Sequence, residues 1–170
     1  ASIEAERRLL EPLRRSATVA LDTSGMSVHD LRHHMQQAFL RGGAKQPELR
    51  VTVMSFGFKH GVPPEADLVF DVRFIPNPYF VETLRPKTGQ DEEVARFVLE
   101  RPEAEQFLDR IRDLLAFLIP QYEREGKAYL TVALGCTGGR HRSVALAGEI
   151  TRFIGELGKS ARTAHRDVGR

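Results

Sequence analysis

Apolar side chains change their spacing several times along this 170-residue chain, and each change marks a different element. Leu49-Arg-Val-Thr-Val-Met-Ser-Phe56 alternates apolar with polar, the two-residue period of a strand with one buried face. Leu68-Val-Phe-Asp-Val-Arg-Phe74 repeats that pattern, and Pro76 and Pro78 end it, because proline offers no N–H to a ladder. At 103–119 the period lengthens. Ala104, Phe107, Leu108, Ile111, Leu114, Leu115 and Leu118 fall three and four apart, on one face of a helix with Pro120 at its end. A third strand is expected at 128–134, a short helix at 92–99 and a last helix at 143–157, closed by Gly158. Between them lie a loop at 57–64 and a long irregular loop at 75–91, and loops of that length are often functional.

The first third of the chain has a different texture. Residues 3–15 read as a charged helix with Ile3, Leu9, Leu10 and Leu13 as its apolar stripe. A short strand at 18–21, a turn at 22–25 and a helix from the N-cap Ser27 through Leu40 follow, then a breaker-rich linker at 41–47. This block is too small to enclose a core. Residues 1–45 are therefore expected to be the end of a larger domain or an appendage, with 48–170 as the second domain. Alternating strands and helices predict an α/β fold: a layered, largely parallel sheet with flanking helices. Such sheets bind ligands at the carboxyl ends of their strands, where the loops 56–61, 71–79 and 135–143 lie.

Composition narrows the class without naming a function. With 41% hydrophobic and 28% charged residues, the chain matches ordinary globular proteins. No apolar run approaches the ~18–20 residues that span a bilayer, and the first residues lack an apolar signal core. One cysteine leaves no partner for an internal disulfide. A cytoplasmic protein without a membrane partner is the expectation. The net charge of +2 gives no global basic field. Residues 159–170, however, carry four cations (Lys159, Arg162, Arg166, Arg170) and His165 against the single anion Asp167. Such a segment is either a solvated, frayed tail or a surface for a polyanion.

Candidate chemistry concentrates at 135–143, Gly-Cys-Thr-Gly-Gly-Arg-His-Arg-Ser. Strand, glycine turn and helix in that order make an anion cradle, because the first N–H groups of a helix are unpaired and carry partial positive charge. Arg140, His141 and Arg142 add donors, which predicts a phosphate-sized anion at 136–143. The spacing Cys136-x5-Arg142-Ser143 also matches the phosphate loop of thiolate phosphatases, but no general-acid loop is identifiable, and Asp71 could serve only as any Asp at a strand end could; a buried structural cysteine is the alternative. Asp71 and Arg73 share a strand face, as an ion pair or as a ligand clamp. Lys59, His60, Asn77, Arg85, Lys87 and Thr88 supply further polar groups. Gly155-Glu-Leu-Gly-Lys-Ser160 imitates a nucleotide loop, but Phe153 stands where that motif needs glycine. His33 and His34 lack companions at ligand spacing, so no metal is expected.

Four blocks of residues are together similar to the C-terminal domain of the bacterial RapZ family, RNase adaptor and nucleotide-binding proteins. They are Ser55-Phe-Gly-Phe-Lys-His-Gly, Phe70-Asp-Val-Arg-Phe-Ile-Pro-Asn-Pro, Leu84-Arg-Pro-Lys-Thr-Gly and Gly135-Cys-Thr-Gly-Gly-Arg-His-Arg-Ser-Val. Residues 1–45, with Leu21-Asp-Thr-Ser24, resemble the end of that family's P-loop kinase-like domain; its Walker A segment, and with it an ATP or GTP site, is not in this sequence. The resemblance implies a phosphofructokinase-like α/β layer. It implies a sensor of glucosamine-6-phosphate that presents small regulatory RNA to an endoribonuclease. Three or four cations on one tail bind weakly alone, so an oligomer that gathers several tails is expected, with no cofactor and no catalytic residue. Carried over, the sugar-phosphate pocket falls on Asp71, Arg73, Cys136, Thr137, Gly138, Gly139, His141, Arg142 and Ser143. RNA contacts fall on Lys159, Arg162, His165, Arg166 and Arg170. Tyr79 stands where better-known members have a histidine. A thiolate phosphatase using Cys136, Arg142 and Asp71, or a nucleotide-binding regulator, are the alternative readings.

Overall fold

The structure, a computed structural model, describes residues 2–27, 30–31, 34–35 and 48–170. The chain forms two units, Ala1–Gln46 and Pro47–Arg170.

In the first unit, helix α1 (Ser2–Ser16) forms where the apolar stripe predicts it. The strand expected at 18–21 does not form; those residues are irregular. A strand is held by hydrogen bonds to a neighbouring strand, and the described residues of this unit include no other strand. The Asp22 carboxylate accepts the Ser24 N–H at 2.9 Å, making the expected turn. Ser27 caps as its sequence suggests. Its Oγ accepts the Asp30 N–H at 3.2 Å, while the Asp30 carboxylate accepts the Ser27 N–H at 3.0 Å, a reciprocal box. Residues 30–31 and 34–35 are helical, and the other residues of the helix expected through Leu40, with the linker at 41–47, lie outside the described residues.

In the second unit, strands β1 (Arg50–Gly57), β2 (Leu68–Asp71), β3 (Tyr129–Cys136) and β4 (Ser160–His165) form one sheet in the order β2-β3-β1-β4. Every neighbouring pair is parallel. Helices α2 (Glu92–Leu99), α3 (Pro102–Arg124) and α4 (Arg142–Glu156) complete the layer. Val51 and Val53 join Leu130, Val132 and Leu134 in one buried cluster with Leu108, Ile111 and Leu115 of α3 and Leu146, Ile150 and Ile154 of α4. The alternating positions Arg50, Thr52, Tyr129 and Arg162 stay open or half-open, so the period-2 pattern sorts the sheet's two faces.

Three elements depart from the pattern reading. β2 ends at Asp71 instead of Phe74, because the Asp71 carboxylate captures the Arg73 N–H at 2.9 Å and turns the chain out of the ladder. α3 runs through Pro120 to Arg124. A late proline forfeits one hydrogen bond, while buried Ile119 and the packed Tyr122 hold the last turns to the core. Gly126, at φ 79°, then closes the helix as Lys127 N–H reaches Tyr122 O at 3.0 Å. The third departure is the largest. Residues 160–165 are not part of a frayed tail but an edge strand paired along β1. Lys159 Nζ meets both Glu123 carboxylate oxygens at 2.8 Å, and Arg162 Nε donates to Thr52 Oγ1 at 3.1 Å. Gly158 closes α4 as predicted.

Because all four strands are parallel, their carboxyl ends lie together. Asp71 stands beside Gly135, Gly57 beside Cys136, and Ser55 beside His165.

Candidate anion-binding site

Over these strand ends opens a cleft of about 360 Å³ lined by Lys59, Asn77, Tyr79, Cys136, Thr137, Gly138, Arg140, His141, Arg142 and Arg170. Three arginines, a lysine and a histidine stand in it, with no acidic side chain among its described residues. The turn between β3 and α4 is built for close approach. Gly139 has φ +75°, and a Cβ there would sit 2.6 Å from Gly57 N and 2.9 Å from Asp167 Cβ. A Cβ on Gly57 would reach 2.5 Å from the Gly138 carbonyl carbon. The glycines therefore let β1, the turn and the segment after β4 pack backbone to backbone.

Cys136 is 3% exposed. Its sulfur accepts the Gly139 N–H at 3.2 Å and lies 3.2 Å from Ser143 Oγ. Burial pushes the thiol pKa up, but the hydrogen bonds from Ser143 and Gly139 and the Arg142 charge outweigh it, and the thiol sits below its ordinary value. Arg142 is buried and already employed. Nη1 donates to the carbonyls of Arg73 and Ile75, both at 2.8 Å, and Nη2 to Thr137 Oγ1 at 3.2 Å; Nε has no partner. Arg140 similarly ties down the second loop through Pro86 O at 2.6 Å and Lys87 O at 3.1 Å. His141 is 7% exposed and its Nε2 lacks a partner. Burial lowers its pKa and the Arg85 and Lys87 backbone raises it, while Arg140 and Arg142 lower it; the net is downward.

Of the residues expected at the pocket, Cys136, Thr137, Gly138, His141 and Arg142 line the cleft. Gly139 and Ser143 support it from behind, Gly139 through its N–H to sulfur and Ser143 through Oγ. Asp71 and Arg73 are absent from the lining. They form an ion pair, Arg73 Nη2 to Asp71 Oδ2 at 2.7 Å, with the Arg73 guanidinium over the Phe58 ring. The hydrogen bonds from Arg73 hold the Asp71 carboxyl below its usual value. Arg140, expected as a donor of the anion turn, lines the cleft as well, and Lys59, Asn77, Tyr79 and Arg170 join the site through the fold. Lys59 was legible as the cation just past a strand end. Arg170, expected among RNA contacts, is a lining residue here, whereas Lys159 and Arg162 lie away from the cleft in their own pairings. His165 Nδ1 lies 2.8 Å from the buried Ser55 Oγ, and Arg166 bonds Asp167 and Gly61 O. No cluster of three or more potential metal ligands occurs among the described residues, nor any helix long and apolar enough to cross a membrane.

Residues 49–169 match the family model described as the RapZ C-terminal domain, and residues 1–43 match the RapZ-like N-terminal domain. The chain belongs to the RapZ family. Proteins named nucleotide-binding protein are its relatives: one of Streptomyces coelicolor is 52% identical over 99% of this chain, one of Myxococcus xanthus 51% over 98%, and one of Geobacter sulfurreducens 50% over 97%. The chain spans 56%, 57% and 58% of those proteins' own lengths. Three of the four sequence blocks of the RapZ resemblance line this cleft, through Lys59, Asn77 and the Cys136 turn, and the third in chain order supports it from behind, its Pro86 and Lys87 carbonyls holding Arg140.

Proposed function

We propose that the cleft binds a phosphorylated amino sugar, glucosamine-6-phosphate, and that the chain acts as a metabolite-sensing RNA adaptor presenting small regulatory RNA to an endoribonuclease. The carboxylate-free lining of cations at the start of α4 carries the sugar-phosphate half of this reading. A dianionic phosphate gains from every charged side chain there and is repelled by none. The RNA half rests on membership of the RapZ family and on the cations of 159–170, several of which also serve the fold. Calorimetric titration with glucosamine-6-phosphate and with plain glucosamine tests the first half. Only the phosphorylated sugar should bind, and Lys59→Ala should weaken it by about 1.5–3 kcal/mol, the range for hydrogen bonds to charged groups. Equal binding of the two sugars refutes it. Filter binding of a structured small RNA at two salt concentrations tests the second half, since phosphate contacts make affinity fall with salt.

One observation favours a second reading. The lowered thiol of Cys136, held by Gly139 and Ser143, has the arrangement of a phosphatase nucleophile. Against it, the cleft offers no carboxylate to protonate a leaving group. Turnover of p-nitrophenyl phosphate that disappears in Cys136→Ser would establish that reading instead. The nucleotide-binding reading, suggested by the relatives' names, predicts calorimetric binding of ATP or GTP at the anion cleft, because the Walker A site is not in this sequence.

A further inference from the structure

We infer that Arg170 is a ligand-binding residue of the cleft and that Asp167 is the positioning residue that delivers it, so that the turn Arg166–Arg170 belongs to the sugar-phosphate site. This rests on the anion reading of the cleft. Asp167 is fully buried, an expensive place for a carboxylate unless its bonds are made. Oδ2 accepts the Gly57 N–H at 2.8 Å and the Arg166 guanidinium at 2.8 and 3.0 Å. Oδ1 accepts no hydrogen bond and faces Arg170 Nη1 at 3.4 Å, while Arg170 N–H donates to Asp167 O at 3.2 Å. Arg166 reaches onward to Gly61 O at 2.7 Å, across the loop that carries Lys59.

The contacts have a direction. One buried carboxylate holds the end of β1 and two arginines, so a positive charge is left over at the cleft. Asp167 also packs where a Cβ on Gly139 would be, behind the glycine turn. Arg170 therefore reaches the cleft from a segment pinned to the same backbone that shapes the anion turn. A phosphate monoester between the turn and Lys59 meets a guanidinium there whose partner carboxylate is hidden beneath it. Pairing to Asp167 fixes the Arg170 side chain before the ligand arrives, which lowers the ordering cost of binding.

The test is calorimetric titration of the chain with glucosamine-6-phosphate and, separately, inorganic phosphate. Arg170→Gln should weaken both by about threefold to tenfold, the size of one partly exposed ionic contact. Arg162→Gln, a cation of the same segment outside the cleft, should leave both unchanged. Asp167→Asn keeps an oxygen for Gly57 N–H but loses the charge that holds Arg170, and it should weaken binding to a similar degree. The double variant should bind no worse than the weaker single one, because both changes remove one interaction. A merely structural Asp167 would give additive losses. If Asp167→Asn does not fold, Arg170→Gln decides alone. Unaltered binding in Arg170→Gln, with the original chain still binding phosphate, overturns this inference and leaves the anion reading standing. Absence of phosphate binding by the original chain overturns both.

Discussion

His141 faces the cleft with a bare, buried Nε2, and burial holds its pKa below the ordinary 6.5. The folded state therefore binds fewer protons than the unfolded chain. Its contribution to stability is present above pH 6.5 and is lost as pH falls through the lowered folded value. Thermal unfolding across that interval should show a steeper acid loss in the original chain than in His141→Gln; parallel curves would remove His141 as the cause. A bound phosphate favours the protonated ring, so ligand binding should take up a proton in this window. Gly139→Ala belongs to the same scale. It forces a side chain into φ +75° and into contact with Gly57 and Asp167. It should cost more than ~1–2 kcal/mol in denaturant unfolding, the penalty for left-handed backbone alone, and abolish phosphate binding. Cys136 through Arg142 were legible in the sequence because a glycine turn between strand and helix has few other uses. Lys59 and Arg170 were less so. Cations are common on every surface, and only the parallel sheet decides which of them converge.

At the scale of elements, strong periodicity spoke clearly and weak periodicity did not. The alternation of β1 and the apolar run of β3 placed those strands to within two residues, and the stripe of α3 placed that helix's start but not its end, since each buries a continuous face. Pro120 argued for an earlier stop, but the burial of Ile119 prevailed over one missing hydrogen bond. Pro120→Ala should restore that bond and stabilise the domain by about 2 kcal/mol in urea unfolding, after allowing for the freer unfolded chain. β4 escaped notice because Ser-Ala-Arg-Thr-Ala-His has small and charged residues in place of a hydrophobic alternation, as suits a sheet edge. Its removal is correspondingly severe. Deleting 160–170 takes away the outer neighbour of β1, Asp167 and Arg170 together. The expected outcome is loss of cooperative thermal unfolding by circular dichroism, not a folded domain with weaker RNA affinity.

For the whole molecule, the α/β layering was readable from the order of strands and helices, whereas the strand order was not. No local pattern reveals that β3 inserts between β1 and β2. The position of the cleft followed once all strands proved parallel. A ligand that binds only the folded domain should stabilise it by mass action, about 2.7 kcal/mol at one hundred times its dissociation constant. Glucosamine-6-phosphate should raise the unfolding temperature of the chain and glucosamine should not; an equal shift from both would remove the phosphate from the account.

The position of β1 between β3 and β4 has a consequence for biosynthesis. β1 leaves the ribosome before either of its neighbours, and its partners at Tyr129 and Ser160 follow long after Arg50. Until then both rims of that strand are unpaired templates for other chains. Contacts so distant in sequence close slowly. During translation β1 must remain unpaired for most of the domain's synthesis, and β4, synthesised last of the strands, covers its remaining free edge. Stalled or prematurely ended translation before β4 should therefore yield aggregating chains and not partly active ones.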